Sequence, residues 1–345
     1  MRCAIILAMT LEDGKRSFLI KDAPAENFAS GILEVDLPAE FGPRTQGKVR
    51  DIWVLDGKRI MITTDRQSAF DRLICTIPSK GAILNSTSVW WSNKTQSIVP
   101  DHIITIPHLN VIIARQAAEV IPVEVVVREY MAKSATSTSI YHSYVEKGRR
   151  KIYGIDFPDG LLANQIFPMG PIITPTTKAD EGHDLELTED AAREIADKKG
   201  GEDTWNKIKK ASERLFNLGS AVFRQKGLIL VDTKYEFGID KDGNLMLIDE
   251  IHTSDSSRLW RAATYWENFE RGKNPESYDK EILRRWLAKR GFKGQGLVPQ
   301  VGPRIIAQMS RAYNIPFLLL TGKNMGNSRS PKEIRDAIVS YFNRS

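Results

Sequence analysis

The sequence predicts an α+β protein with two lobes around a cleft and largely antiparallel sheets. Three observations carry this: strand-like runs come in hairpin pairs, a block of helical period separates them, and regular βαβ alternation is missing. At about 150 residues per domain the 345 residues make roughly two units. Hydrophobic residues at 41% and charged residues at 27% lie in the ordinary globular range, so a core can form without disulfides or metals.

Residues 1–30 mix Asp13-Gly14 and Ala23-Pro24 breakers with charges and show no sustained period, which reads as an N-terminal extension. The runs KVRDIWVL and KRIMITTD, rich in β-branched residues and joined by Asp56-Gly57, predict a type I′ hairpin from about Lys48 to Asp65. PVEVVVR at 122–128 is dominated by valine and predicts a mostly buried strand in the middle of a sheet. Trp205, Ile208, Leu215, Leu218 and Val222 recur at helical spacing within 189–226, with a break at Gly200-Gly201. GLILVDTKYEFGID and NLMLIDEIH flank Lys241-Asp242-Gly243 as a second hairpin. Near the C-terminus, Asp279 can cap a helix ending at Gly291, and Ser330-Pro331-Lys332-Glu333 is a capping-box signature.

Several function classes are excluded. The apolar run Ala4 to Met9 is far short of the ~20 residues of a membrane span, so a soluble, cytoplasmic protein with no membrane partner is expected. Cys3 and Cys75 form no CxxC pair, which argues against a disulfide framework or a zinc site. The net charge of +6 favours anionic ligands without choosing between nucleic acid and phosphorylated metabolites. The basic run Lys147–Lys151 has no nucleic-acid-binding signature beside it and reads as a solvated loop. GxGxxG and GxxxxGK[ST] are missing, as are a hydrolase triad pattern and the HRD and DFG tripeptides of a protein kinase.

The chemistry concentrates in a few segments. In a strand at 231–237, Asp232, Lys234 and Glu236 share one face; a solvated outer face is the plain alternative. The following strand ends in Asp249-Glu250, with Asp255 shortly after. Strands lie about 4.8 Å apart, so Glu236 and Asp249 could share one cation, as a magnesium ion carrying nucleotide phosphates would require. Gly47-Lys48-Val49-Arg50 puts two cations on one strand face after a glycine that permits close backbone approach, which suits phosphate oxygens. The stretch 171–178 leads hydroxyls and prolines to Lys178, followed by His183-Asp184, and could bind a dicarboxylate; His183 could equally be a structural histidine.

Together GKVRDIW (47–53), TDRQSAFD (64–71), IPSKGAILNSTSVWW (77–91), PVEVVVR, PIITPTTKADEGHD (171–184), VDTKYEFG (231–238) and LIDEIHTSDSSRLW (247–260) resemble the SAICAR synthetase family, and they run in family order. The resemblance implies a fold related to ATP-grasp enzymes: after the extension 1–30, a small β-rich nucleotide lobe at 31–128 and a larger α+β substrate lobe at 129–345 that includes the C-terminal helices. It implies ATP and Mg²⁺ as cofactors, with carboxyaminoimidazole ribotide (CAIR) and L-aspartate as substrates and no nucleic-acid partner. Gly47, Lys48, Val49, Arg50, Lys80 and Lys234 would hold the nucleotide, Glu236 and Asp249 the metal. Lys48, Arg50, Glu236 and Asp249 would form the catalytic set. Arg128, Ser134, Asp232 and Arg258 match positions for the ribotide and Lys178 and Asp184 the aspartate side, with Ser68, Asp71, His183 and Asp255 as further substrate residues. One departure stands out: Glu129 and Lys133 occupy positions that are commonly glycine in the family.

Overall fold

The computed structural model describes residues 23–134, 139–178, 185–326 and 330–344. The expected hairpin is present. β1 (Thr45–Gln46) precedes β2 (Arg50–Leu55) and β3 (Lys58–Thr63), and the turn residues Asp56 and Gly57 have φ of 50° and 69°, the left-handed pair that a type I′ turn needs. A short ribbon of β4 (Arg66–Ala69) and β5 (Arg72–Thr76) follows, then α1 (Lys80–Thr95), β6 (Ile103–His108) and β7 (Val111–Arg115). The first sheet has the order β1-β2-β3-β7-β6 and is antiparallel throughout. Gly81 lets α1 start against β3, because a Cβ there would lie 2.2 Å from the Thr63 carbonyl oxygen.

The second half supplies β8 (Glu119–Val120), β9 (Val123–Arg128), a small pair β10 (Lys151–Ile152) and β11 (Ile155–Asp156), β12 (Ile172–Thr177), α2 (Glu189–Gly200), α3 (Thr204–Gln225) and β13 (Leu228–Tyr235). β14 (Phe237–Ile239), β15 (Leu245–Leu247), β16 (Ser257–Arg261), α4 (Ala262–Glu270), α5 (Glu281–Ala288), α6 (Pro303–Thr321) and α7 (Pro331–Phe342) complete it. The main antiparallel sheet has the order β12-β9-β13-β16, and β15-β14-β8 forms a smaller one. Val123, Val125 and Val127 point inward to pack with Trp205, Ile208, Leu215 and Phe223 of α3, leaving Glu124, Val126 and Arg128 on the opposite face.

Strand β13 departs from simple alternation. Leu228 and Leu230 belong to the core beneath α3, and unbroken period two would bury Asp232 and Lys234 with them. A register shift between Leu230 and Asp232 reverses the phase, so Tyr235 returns to that core while Asp232 and Lys234 join the face of Arg128 and Glu124.

Three expectations are corrected. The second hairpin is only β14 with β15; residues 228–235 leave it at Glu236 and pair with β9 and β16. β9, expected to close the small lobe at 128, is hydrogen-bonded between β12 and β13, because its valine face needs the α3 core. The last helices pack on the first lobe: Met309, Tyr313 and Phe317 of α6 meet Ile83 and Leu84 of α1, and Ile334 and Ile338 of α7 meet Trp53, Ile60 and Ile113. Residues 25–30 also belong to the body, since Asn27 donates to the carbonyls of Ile74 and Pro299.

The capping expectations match the geometry. Asp279 Oδ1 accepts from the Glu281 N–H at 2.8 Å, and Ser330 with Glu333 forms a reciprocal capping box behind Pro331. Among the described residues no helix is long and apolar enough to cross a membrane. Because Ile338 is fully buried between α7 and the first sheet, Ile338→Ala is expected to cost about 2–5 kcal/mol. Ser330→Ala, which loses only the cap, should cost about 1 kcal/mol. Urea unfolding of the two variants checks this; equal costs would mean that α7 is held by its cap and not by its packing.

Candidate active site

Two charged clusters lie along the face of the β12-β9-β13-β16 sheet that carries Glu124 and Arg128, and Arg50 of the first sheet joins the first of them. In the first, the Lys234 ammonium lies 2.9 Å from Glu124 Oε1 and 3.3 Å from Asp249 Oδ2 and is also bonded to Glu236 Oε1. Arg50, reaching from β2, bonds Asp249 through Nη1 and lies 2.8 Å from Glu250 Oε2 through Nη2. Lys178, just beyond β12, bonds the other oxygen of Glu236. The result is an alternating chain of charge, Glu250–Arg50–Asp249–Lys234–Glu236–Lys178, drawn from both sheets. Glu236 and Asp249 therefore face the same way, toward one shared cationic centre.

Burial alone would push the Asp249 carboxyl up, yet Arg50 and Lys234 hold it well below the usual carboxylate range. Lys234 is buried as well, and Asp249, Glu236 and Glu124 outweigh that and hold its ammonium firmly protonated. Glu250 goes the other way: burial and the neighbouring Asp249 charge raise it despite Arg50.

The second cluster lines a cavity of about 200 Å³ bounded by Arg128, Ser134, Asp232, Ser254 to Arg258, Lys280 and Arg284, among others. Asp232 accepts from Arg128 Nη1 at 3.1 Å and from Arg258 Nε at 2.9 Å, and these two cations keep it ionised against the effect of burial. Arg258 Nη1 and Arg284 Nε are shielded from solvent and have no acceptor among the described residues. Buried donors without partners, beside several cations and serine hydroxyls, suit an anionic ligand.

The glycine-led loop 47–50 sits beside the first cluster, where the exposed Lys48 and Asp71 side chains pair with each other. Asp71 and Phe70 form the β4–β5 turn with φ of 58° and 52°. Two expected residues are placed differently. Lys80 is fully buried, donating to Asp255 Oδ2 and the Arg66 carbonyl at 2.8 Å each, so its ammonium is enclosed and does not join the Lys48–Arg50 loop. Ser68 is buried in β4, and among the described residues it bonds neither cluster. Asp255 borders the second cavity but commits its carboxylate to Lys80, Lys280 and the Tyr313 hydroxyl. His183 and Asp184 lie outside the described residues.

Sequence reasoning missed Glu124, Lys280 and Arg284, and it named Glu250 beside Asp249 without giving it a role. Glu124 could have been found, since it shares a strand face with Arg128 four residues on. Lys280 and Arg284, one helical turn apart, signal only a common helix face until β16 is seen beside them. Among the described residues no group of three or more His, Cys, Asp or Glu side chains converges on one point.

Such a site, with paired carboxylates beside a glycine-led basic loop and a separate anion cavity, defines an enzyme that brings several charged small molecules together. The chain belongs to the SAICAR synthetase family, whose profile matches residues 43–301. It is 44% identical over 310 residues to the phosphoribosylaminoimidazole-succinocarboxamide synthase of Legionella pneumophila (strain Lens), covering 89% of this chain and 96% of that protein. It is 42% identical over 323 residues to the chloroplastic synthase of Arabidopsis thaliana, covering 92% and 76%. Its fold is similar to that of the SAICAR synthase from Saccharomyces cerevisiae complexed with SAICAR, with a TM-score of 0.72 and 30% identity over 86% of this chain and 99% of that one. The chain is a carbon–nitrogen ligase of purine biosynthesis that condenses CAIR with L-aspartate to give SAICAR.

Two buried histidines near the first cluster set a pH dependence. Burial pushes His252, whose Nε2 lies 2.5 Å from the Tyr235 hydroxyl, down to about 3, and His102 down to about 4. Both stay neutral where an unfolded-chain histidine, near pH 6.5, would protonate, so the unfolded state binds more protons below that pH and stability falls as the pH falls. Asp279, pushed up to about 6 by burial, opposes one of them between about pH 6 and 4, and Glu250 and Glu129, whose carboxyls burial also raises, oppose them further. In urea unfolding from pH 7 to 4.5, His252→Asn should lower the slope of stability against pH by about 1.4 kcal/mol per pH unit. An unchanged slope would contradict the neutral, buried His252.

Proposed function

We propose that this chain drives the ligation with ATP, through an acyl phosphate formed on CAIR. Carboxylate oxygen is a poor leaving group and its charge repels an amine. Attack of the CAIR carboxylate on the γ-phosphorus forms the new C–O–P bond and releases ADP. The amine of L-aspartate then attacks the acyl carbon, the C–O bond to phosphate breaks, and the amide and inorganic phosphate leave, with one amine proton lost. No protein nucleophile is needed. Phosphoryl transfer depends on positioning and charge neutralisation, and Lys48 and Arg50 would supply cations at the phosphates.

The observation that carries this reading is the single Lys234 ammonium shared by Glu236 and Asp249. Their oxygens converge on one cation centre, and two carboxylates with phosphate and water oxygens are the donors that Mg²⁺ takes, so the residues fit the ion. Bound there, Mg²⁺ would neutralise charge on the polyphosphate. Arg128 and Arg258, with the unpartnered Arg258 Nη1 and Arg284 Nε, would hold the ribotide's anionic groups in the second cavity. Lys178, on the far side of Glu236, would meet a carboxylate of aspartate. An acyl phosphate must be kept from water, so the two lobes would close over the bound substrates.

Asp249→Asn should keep the native fold at reduced stability and lower turnover at least about a hundredfold in a coupled ADP-release assay run well below its Tm; near-normal turnover in saturating magnesium would remove the metal assignment. Lys178→Ala should raise the KM for aspartate more than the KM for ATP, and equal changes would mean that its role is wrong. Arg258→Lys should weaken CAIR binding by about tenfold or more, because an ammonium cannot replace the guanidinium fork.

A further inference from the structure

The carbonyl groups of Gly47, Lys48 and Val49 are turned toward one segment, residues 64–66. Arg66, which is fully buried, donates from Nη2 to the Gly47 carbonyl at 3.0 Å and from Nε to the Lys48 carbonyl at 3.4 Å. Its remaining donors reach the Leu33 carbonyl at 2.8 Å and both oxygens of Asp51 at 2.5 and 3.0 Å. All five guanidinium N–H groups therefore have acceptors. The next carbonyl, that of Val49, accepts from Thr64 N at 2.9 Å and Thr64 Oγ1 at 2.6 Å.

In a planar trans peptide the N–H points opposite to the carbonyl it adjoins. The N–H groups of Lys48, Val49 and Arg50 are thus turned away from residues 64–66, and among the described residues those of Lys48 and Val49 have no acceptor. Gly47 permits the tight approach that starts the loop: its N–H meets the Arg50 carbonyl at 2.8 Å, and a Cβ there would lie 2.7 Å from that oxygen. Successive N–H groups presented on one side form an anion-binding concavity.

We propose that Arg66 is a positioning residue for the nucleotide. By holding the Gly47 and Lys48 carbonyls inward, it keeps the Lys48 and Val49 N–H groups directed at the polyphosphate. This rests on the reading that residues 47–50 hold the nucleotide, and it adds backbone dipoles to the recognition by the Lys48 and Arg50 side chains. Lysine at position 66 retains a charge beside Asp51 but lacks the fork needed for the carbonyls, so charge and loop geometry can be separated.

The test is calorimetric titration of the full chain with ADP and Mg²⁺, and separately with CAIR, together with steady-state kinetics and melting curves. Arg66→Lys should raise the ADP Kd about tenfold, equivalent to about 1.4 kcal/mol, and leave the CAIR Kd within about twofold. The KM for ATP should rise by a larger factor than kcat falls. Thr64→Val, which removes one of two bonds to the Val49 carbonyl, should act in the same direction to a smaller extent. A lower Tm with an unchanged ADP Kd well below that Tm would overturn the proposal, since a purely structural ion pair predicts that result. Should Arg66→Lys fail to fold, Thr64→Val and Asp51→Asn decide, and an unchanged ADP Kd in both overturns it. Lys48→Ala separates the two levels. Weaker ADP binding there with normal binding in Arg66→Lys removes only the role of Arg66, whereas normal binding in both removes the nucleotide assignment of the loop as well.

Discussion

The contact between Arg50 of the first sheet and Asp249 at the end of β15 joins the two halves of the molecule and orders the charges around it. Asp249 bonds a cation on each side, Arg50 and Lys234, and Lys234 in turn gathers Glu236 and Glu124. Each of these groups is at least largely shielded from water, where an unpaired charge would cost several kcal/mol. Alternation of sign is what permits so many ionised side chains to share one small volume. It also means that removing any one member strands its neighbours, a loss of about 3–5 kcal/mol for a buried pair.

That arrangement depends in turn on packing that is remote from it. The bulge in β13 transfers Asp232 and Lys234 from the α3 core to the opposite face, and the valine face of β9 holds the sheet against α3 so that Glu124 and Arg128 stay on the same side as those two. The buried Asp255 ties the second cavity to the first lobe through Lys80 and to the C-terminal helix α6 through Tyr313. A helix with no residue in the first charged cluster is therefore part of what fixes the second cavity.

Much of this was legible in the sequence wherever the determining information is local. Asp56-Gly57 specifies its turn by backbone preference alone, Ser330-Pro331 with Glu333 specifies a helix start, and Gly200-Gly201 specifies a break between α2 and α3. The convergence of Glu236 with Asp249 was only half readable: the turn between them is short, but the ladder sets Ile248 beside Glu236, so unbroken alternation would turn Asp249 to the other face, and the two meet because both lie just outside the strands β13, β14 and β15. What could not be read was set by distant partners. A run of valines announces burial but not which sheet claims it, so β9 was assigned to the wrong lobe. The phase reversal in β13 comes from pairing with β16 and has no marker such as glycine at Val231. Lys80 looked like a loop cation, and only the approach of Asp255, 175 positions away, encloses it.

In the proposed function, Glu236 and Asp249 would exchange their shared ammonium for a divalent ion when a nucleotide is bound. Crystals of the chain grown with ADP and Mn²⁺ in place of Mg²⁺ would test it most directly through the anomalous signal of manganese. The expected result is a peak at coordination distance from one oxygen of each carboxylate and from the nucleotide's phosphates. Manganese bound to the nucleotide with neither carboxylate among its ligands, and Lys234 still bridging the pair, would contradict it.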